Sequence, residues 1–186
     1  MSTSIIQSEP LIAVGSLADG DELLVSDASA GGAASSTTML SMRQYISGGV
    51  TDATAATLTV TAASHAGQTI TLNRAAGVAV TLPAASGTGN RYTFVVGTTF
   101  TSDGTIKVVT DDIMVGTALL FADGGDTTVG FATAADSDTI TLTGTTTGGI
   151  AGAVIRLQDI AADTWHVEMV SDASGTEATP FSATVS

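Results

Sequence analysis

From about residue 51 to its end, the sequence is a succession of short segments in which polar and apolar residues alternate. Gly67–Pro83 illustrates the pattern: Ile70 and Leu72 alternate with threonines, the chain breaks at Asn73–Gly77, and alternation then resumes. A period of two places every second side chain on one face of a β-strand, so these apolar residues are expected to face a core. Short strands separated by Gly- and Asp-containing turns are typical of sandwiches and barrels. The sequence therefore predicts an all-β protein: an antiparallel β-sandwich, or a jelly-roll or barrel-like domain.

The alternating segments define a series of strands, each bounded by turn-forming residues. They are predicted at Thr57–Thr61, Thr69–Asn73, Val78–Leu82, Arg91–Val96, Thr105–Val109, Met114–Phe121, Thr127–Thr133, Thr139–Thr143, Ala153–Asp159 and Thr164–Val170. No long helical segment lies between them to connect parallel strands, so antiparallel pairing is expected.

The break at Asn73–Gly77 is predicted to be a hairpin turn, because it contains no acid and no histidine and because Gly77 suits a positive φ angle. Arg74 is one of only four arginines in an acidic chain. We expect it to pair with a carboxylate of its own chain or of a neighbour and so to support assembly. The residues expected to face inward on either side of the turn are Ile70, Leu72, Val78, Val80 and Leu82.

Residues 1–50 differ in composition from residues 51–186 and are predicted to form an N-terminal arm beside a β-rich domain. A strand is expected at Asp21–Ser26, followed by a Gly/Ala/Ser-rich turn or loop over Asp27–Thr38. Met39–Gly48 has apolar residues at helical spacing and ends in glycine, which predicts a short helix. The candidate assembly residues of the arm are its apolar side chains, Ile5, Ile6, Leu11, Ile12 and Val14.

The charge balance argues against two classes of partner. The chain has 18 acidic and 5 basic residues and a net charge of −13, which repels nucleic-acid phosphates and anionic membranes.

The longest apolar stretch, Ile113–Phe121, is about half of the ~20 residues that a membrane span requires, and the N-terminus lacks the basic region of a secretory signal. A β-rich surface covered by hydroxyls rather than charges favours packing against neighbours, so we expect a homo-oligomer.

No pattern of catalytic residues stands out, and neither an enzyme activity, a cofactor nor a metal is predicted. The serines do not form a G-x-S-x-G motif, the only lysine is not in a phosphate-binding loop, and the chain has no cysteine. His166 and Glu168 share one face of a predicted strand and could bind a metal or share a proton. A solvated strand face is the favoured interpretation. His65 has no neighbouring ligand in the sequence.

Three acidic pairs fall in predicted turns, at Asp111–Asp112, Asp123–Asp126 and Asp136–Asp138. Such loops can bind calcium, but their spacing does not match the EF-hand loop, and Asp-Gly is common turn chemistry. Structural turns are therefore favoured over calcium sites. A weak echo between QTITLNRAAGVAVTLP and DTITLTGTTTGGIAGAVIRL is compatible with a pseudo-repeat, although hairpins of this composition resemble one another and no period is sustained.

Several long segments resemble structural proteins of tailed bacteriophages, among them the head decoration (cement) proteins. The resemblance lies in HAGQTITLNRAAGVAVTLPAASGTGNRYTFVVGTTFTSDGTIKV, in LFADGGDTTVGFATAADSDTITLTGTTTGGIAGAVIRLQDIAADTWHVEMV and in SGTEATPFSA. DGDELLVSDASAGGAASSTTMLSMRQYI resembles a unit at the start of phage tail-fibre and decoration proteins, although Ser35–Thr38 stand where that unit often has basic residues.

The resemblance implies a mechanical function. A cement protein binds the major capsid protein on the outside of the shell and holds the head against the pressure of packaged DNA, and analogy favours a homotrimer. The alternative is a tail-fibre or tailspike module for host attachment. A virion glycosidase and a bacterial surface-binding module are less favoured.

Overall fold

The computed structural model describes residues 22–27, 33–38, 48–109, 111–122 and 127–185. The chain divides into two units, Met1–Ile46 and Ser47–Ser186. In the first unit, β1 (Glu22–Asp27) pairs antiparallel with β2 (Ala33–Thr38). The helix predicted from Met39 lies outside the described residues. So do the candidate assembly residues Ile5, Ile6, Leu11, Ile12 and Val14.

The two strands of the first unit confirm one prediction and correct another. β1 coincides with the strand predicted at Asp21–Ser26. β2 lies within Asp27–Thr38, so the prediction of a turn or loop is wrong for the second half of that segment. Serine and threonine suit a strand once a partner supplies the backbone hydrogen bonds, and composition alone does not reveal the partner.

The described residues of the second unit form short strands and one helical turn, α1 (Ala62–His65), in which the Thr61 hydroxyl accepts the N–H of Ser64 at 3.3 Å. Its strands are β3 (Val50–Ala53), β4 (Thr57–Thr59), β5 (Thr69–Leu72), β6 (Ala79–Thr81), β7 (Arg91–Val96), β8 (Gly104–Lys107), β9 (Ile113–Phe121), β10 (Thr128–Ala132), β11 (Thr139–Leu142), β12 (Val154–Ala161), β13 (Thr164–Asp172) and β14 (Phe181–Ser182). Within the described residues, no helix is long and apolar enough to cross a membrane.

The described strands of this unit form two mixed sheets, so the protein is nearly all β, as predicted. One sheet has the order β10-β9-β13-β12-β7-β5-β3, and the other has the order β14-β11-β8-β6-β4. The prediction of antiparallel sheets is wrong in part. β5 is parallel to β3 and β7, β6 is parallel to β4 and β8, and β9 is parallel to β13. The two T-I-T-L segments are β5 and β11, which lie in different sheets and are not equivalent positions of a repeat.

Four of the five parallel pairs, those among β3 to β8, arise because the chain winds from one sheet to the other and back. β3, β5 and β7 are neighbours in the seven-stranded sheet, while β4, β6 and β8 are neighbours in the five-stranded sheet. One turn of this winding, a strand in each sheet with its two connections, is called a rung below. Each rung takes roughly 20 residues, within the range of solenoid repeats. Asn73–Val78 connects β5 to β6 and therefore crosses between sheets, so the predicted hairpin is wrong. Alternation of polar and apolar residues indicates a half-buried strand, but it does not indicate which strand pairs with it.

Apolar side chains from both sheets share one hydrophobic core. Trp165 packs on Tyr92 there, with ring centroids 5.7 Å apart. Val167 is also buried, whereas His166 and Glu168 lie on the opposite face of β13, as the alternation predicts. The five residues predicted to face inward around Asn73–Gly77 are all buried: Ile70, Leu72, Val78, Val80 and Leu82.

Candidate functional site

Exposed apolar side chains are concentrated on the outer face of the seven-stranded sheet. Leu119 on β9 lies opposite Val170 on β13, Val170 lies opposite Val154 on β12, and Val154 lies opposite Val95 on β7. Leu119 and Val170 are 44% and 41% exposed, and the other two are half-buried. These four residues form an apolar row about 14 Å long, since neighbouring strands are about 4.8 Å apart. Phe121, also exposed, extends it on the same face of β9.

Charged and polar side chains continue the same face beside the apolar row. Arg91 on β7 and His166 on β13 flank Gln158 of β12 in one lateral register. Arg156 lies two residues before Gln158 and directly opposite Glu168. Diagonal neighbours on a sheet are about 7–8 Å apart, so these groups lie close together. They surround a shallow depression of ≈ 260 Å³. Arg91, Arg156 and His166 are called the cationic cluster below.

The cationic cluster is unusual in this chain, which has only five basic residues. Two of the four arginines, Arg91 and Arg156, are in it, and both are exposed. Among the described arginines, Arg74 alone donates a side-chain hydrogen bond. The guanidinium donors of the cluster are therefore available to a ligand, and their planar fork suits the two oxygens of a carboxylate.

The outer face of the five-stranded sheet has a different chemistry. Thr59 on β4, Thr81 on β6 and Lys107 on β8 are aligned laterally across it, and the row ends at Thr139 on β11, which is buried. Among the described residues, the large apolar side chains that are exposed all belong to strands of the seven-stranded sheet. The two faces therefore offer different surfaces to a partner, and only the seven-stranded sheet offers an apolar one.

The turn at Asn73–Gly77 holds the rungs together. Arg74 Nη1 donates to the carbonyl oxygen of Gly77 at 2.6 Å, so its hydrogen bond closes its own loop rather than reaching a carboxylate. Gly77 has φ +78°, as predicted, and a Cβ there would collide with the backbone of Asp103. The Thr101 N–H donates to the Ala75 carbonyl at 2.6 Å, which joins this loop to the loop of the next rung.

The histidines have different settings. His65 Nδ1 accepts a hydrogen bond from the Thr61 N–H at 3.1 Å and so helps to close α1. His166 lies on the outer sheet face, where Glu168 follows it two residues later on the same strand. Within the described residues, no group of three His, Asp or Glu side chains is placed to hold a metal ion.

Two of the predicted acidic turns come together around one depression of ≈ 140 Å³, at residues 111–112 and 136–138. Asp112 is buried, and its Oδ2 accepts hydrogen bonds from the Ala85 N–H at 2.8 Å and from the indole N–H of Trp165 at 3.3 Å. This carboxylate therefore links the loop before β7 to the core tryptophan, which is a structural role.

Asp138 anchors the end of the described chain. Its carboxylate accepts the backbone N–H groups of Thr184 and Val185 at 2.7 and 2.8 Å. Burial alone would raise the pKa of Asp138, but these hydrogen bonds and one from the Thr139 hydroxyl outweigh it, so the pKa is lowered. The third acidic pair, at residues 123–126, lies outside the described residues.

Asp159 anchors the loop between β6 and β7. Its Oδ1 accepts the N–H groups of Ser86 and Gly87 at 3.0 and 2.7 Å, and its Oδ2 accepts the N–H and hydroxyl of Thr88 at 3.0 and 2.6 Å. Burial would raise the pKa of Asp159, yet the four hydrogen bonds outweigh it and the pKa is lowered. Ser86–Asn90 is thus a loop whose shape Asp159 fixes.

Tyr92 carries a buried hydroxyl that has no hydrogen-bond partner among the described residues. Burial, and next the negative charge of Asp159, raise the pKa of this phenol. The side chain of Asn90 is near enough to oppose the shift slightly, but it does not complete a hydrogen bond with the hydroxyl. Tyr92 therefore contributes through ring packing.

A scan against models of protein families and searches of curated proteins and of solved structures found no significant match. The candidate site therefore depends on geometry. Among the residues of the apolar row and the cationic cluster, the sequence patterns single out His166 alone. Outward positions on β7, β9, β12 and β13 follow from alternation, but their lateral alignment follows from the strand order, which alternation does not encode.

Proposed function

We propose that this protein is a bacteriophage head decoration (cement) protein, which binds the outside of the major capsid protein shell and stabilises the head against DNA pressure. The outer face of the seven-stranded sheet is its docking surface. The observation that carries the proposal is the apolar row on one face of the seven-stranded sheet, in which Leu119 and Val170 are exposed and Val154 and Val95 are half-buried. The segments that resemble phage decoration proteins supply the identity of the partner.

The energetics of such docking suit a flat β-sheet. A stable protein–protein interface buries about 1,200–2,000 Å² in total, and a seven-stranded sheet is about 30 Å wide across its strands. A contiguous apolar stripe contributes through its removal from water, while the polar residues around it form a hydrated rim. No chemical step is required, because a cement protein acts through interface area.

Assembly into a homotrimer completes the proposal. A trimer seated on a symmetric shell makes several contacts at once, and avidity then exceeds the affinity of each contact. The apolar arm residues Ile5, Ile6, Leu11, Ile12 and Val14 order against the capsid or a sister subunit, and the two sheets close on each other as a sandwich-like body. Arg74 supports assembly by pairing with a carboxylate of a neighbouring subunit. The protein is made in the host cytoplasm and ends on the outer surface of the virion.

Binding to undecorated heads tests the docking surface. Val170→Glu places a charge in the middle of the apolar row, and we expect it to weaken co-sedimentation with heads by at least about tenfold, because desolvating an unpaired charge is costly. Thr81→Glu is the matched control: the same charge on the exposed outer face of the five-stranded sheet is expected to leave binding unchanged. Equal thermal melts would show that both variants fold.

Two outcomes would contradict the proposal. If Val170→Glu bound heads as well as the unmodified protein did, the apolar row would not be the docking surface. If the protein co-purified with tails rather than with heads after the virion was dissociated, the tail-fibre alternative would replace the decoration role.

A further inference from the structure

We propose that the cationic cluster, Arg91, Arg156 and His166, binds a carboxylate group, and that in the assembled virion this carboxylate belongs to an acidic side chain of the capsid shell. The second half of this inference rests on the proposed docking role of the outer sheet face. The first half concerns the isolated protein and stands on the arrangement of these side chains.

The arrangement favours a compact anion. Arg91 and Arg156 approach the depression from adjacent strands, and His166 approaches it from the strand beyond. Gln158 lies between Arg91 and His166 and adds amide hydrogen-bonding groups, one of which reaches the Gly89 carbonyl at 3.4 Å. Two guanidinium groups that converge from neighbouring strands can hold both oxygens of a carboxylate.

Glu168 restricts the kind of anion that the cationic cluster can bind. It lies directly opposite Arg156 and is exposed, so it offsets part of the positive charge. A ligand with one carboxylate near Arg91 and Gln158 avoids this repulsion, while a densely charged polyanion does not. This local balance favours a single carboxylate over a nucleic-acid phosphate backbone, in agreement with a net charge of −13.

The capsid shell is the source of the carboxylate because the cluster continues the proposed docking surface. Along β12, Val154 of the apolar row is followed on the same face by Arg156, and along β13, Val170 is preceded by Glu168. A partner that covers the apolar row therefore also covers the cluster. Burying two guanidinium groups without an anion would cost binding energy, so the partner must supply one.

The isolated protein tests the site with citrate as the probe. We expect citrate to produce saturable NMR shifts at the side chains of Arg91, Arg156 and His166. The shift at His166 should be lost in the double variant Arg91→Gln/Arg156→Gln, and all three shifts should be retained in Arg74→Gln, which removes an arginine outside the cluster. Absence of shifts in the unmodified protein, or shifts that persist in the double variant, would overturn the site.

Binding to undecorated heads tests the source of the carboxylate. The double variant is expected to bind heads at least about tenfold more weakly at low salt and to lose the salt dependence that the unmodified protein shows. If citrate binds the cluster but the double variant binds heads normally, the shell does not supply the carboxylate. If the double variant loses head binding while Val170→Glu keeps it, the cluster stands and the apolar row fails as the docking surface.

Discussion

The Asp159→Asn substitution tests whether one buried carboxylate holds the loop between β6 and β7. Asparagine has nearly the same shape but keeps an acceptor on one side only. The remaining oxygen can accept the N–H groups of Ser86 and Gly87, which donate to Oδ1 at 3.0 and 2.7 Å. The new NH₂ group would then face the N–H and hydroxyl of Thr88, which lie 3.0 and 2.6 Å from Oδ2. Both sides would be hydrogen-bond donors, so neither bond could form.

The size of the effect follows from these contacts. A hydrogen bond to a charged group contributes about 1.5–3 kcal/mol, and a buried donor without an acceptor costs about 1–3 kcal/mol. Two such bonds are lost, but the Thr88 hydroxyl can turn toward water. We therefore expect the free energy of unfolding to fall by about 2–4 kcal/mol, which lowers Tm by roughly 5–15 °C for a chain of this length.

The difference in the free energy of unfolding between the unmodified protein and the Asp159→Asn variant should depend on pH. The folded-state pKa of Asp159 lies below its ordinary value of 3.8, because the loop hydrogen bonds outweigh the effect of burial. The stability that this carboxylate contributes is complete above the unfolded-state pKa and is lost as the pH falls through the folded-state pKa. The gap between unmodified protein and variant should thus be full at pH 7 and shrink below pH 3.8.

Urea titrations followed by fluorescence of Trp165, the only tryptophan, measure both effects. Asp172→Asn is the matched control, since Asp172 is exposed at the end of β13, and its loss should stay within about 0.5 kcal/mol. A loss below about 1 kcal/mol for Asp159→Asn at pH 7, or a gap that is unchanged in acid, would refute the reasoning.

Two further substitutions separate steric strain from burial. Gly77→Ala is expected to cost about 1–3 kcal/mol more than Gly67→Ala: both glycines have positive φ, but only at Gly77 does a Cβ collide with the Asp103 backbone. Equal losses in urea titrations would show that the collision is absent. Tyr92→Phe removes a buried hydroxyl that has no partner among the described residues, and it is expected to be neutral or to stabilise by up to about 1 kcal/mol. A clear fall in the urea midpoint would instead reveal a hydrogen bond.

Strand positions are the part of the fold that the sequence predicts well, because alternation marks each half-buried strand directly. β7 matches the predicted Arg91–Val96, and β9 begins one residue before the predicted Met114–Phe121. The strands that the sequence does not predict are β2, with six residues, β3, with four, and β14, with two. β3 and β14 contain too few alternations to stand out from loops, and β2 consists of Ala, Ser and Thr alone and shows no alternation.

Strand pairing could not be predicted in the same way. The connection Asn73–Val78 has the composition of a hairpin turn, and its glycine has the expected positive φ. Its two strands nevertheless lie in different sheets, each paired in parallel with strands of other rungs. Local chemistry fixes the turn, while the choice between a hairpin and a crossing depends on which neighbours complete the core.

The candidate site contains two exposed arginines although the whole chain has a net charge of −13, and the structure gives the physical reason for this difference in charge. Several acidic residues act inside the fold: Asp112, Asp138 and Asp159 are buried and accept backbone N–H groups, so their charges help to hold loops and are little available to a partner. Arg91 and Arg156 have no such role within the described part of the chain and stand exposed on adjacent strands. A net charge of −13 therefore describes long-range repulsion, while the strand order that aligns β7 with β12 sets what a docked partner touches. The net charge calculated from the sequence cannot distinguish long-range repulsion from local contact, because it counts a buried anchoring carboxylate and an exposed guanidinium equally.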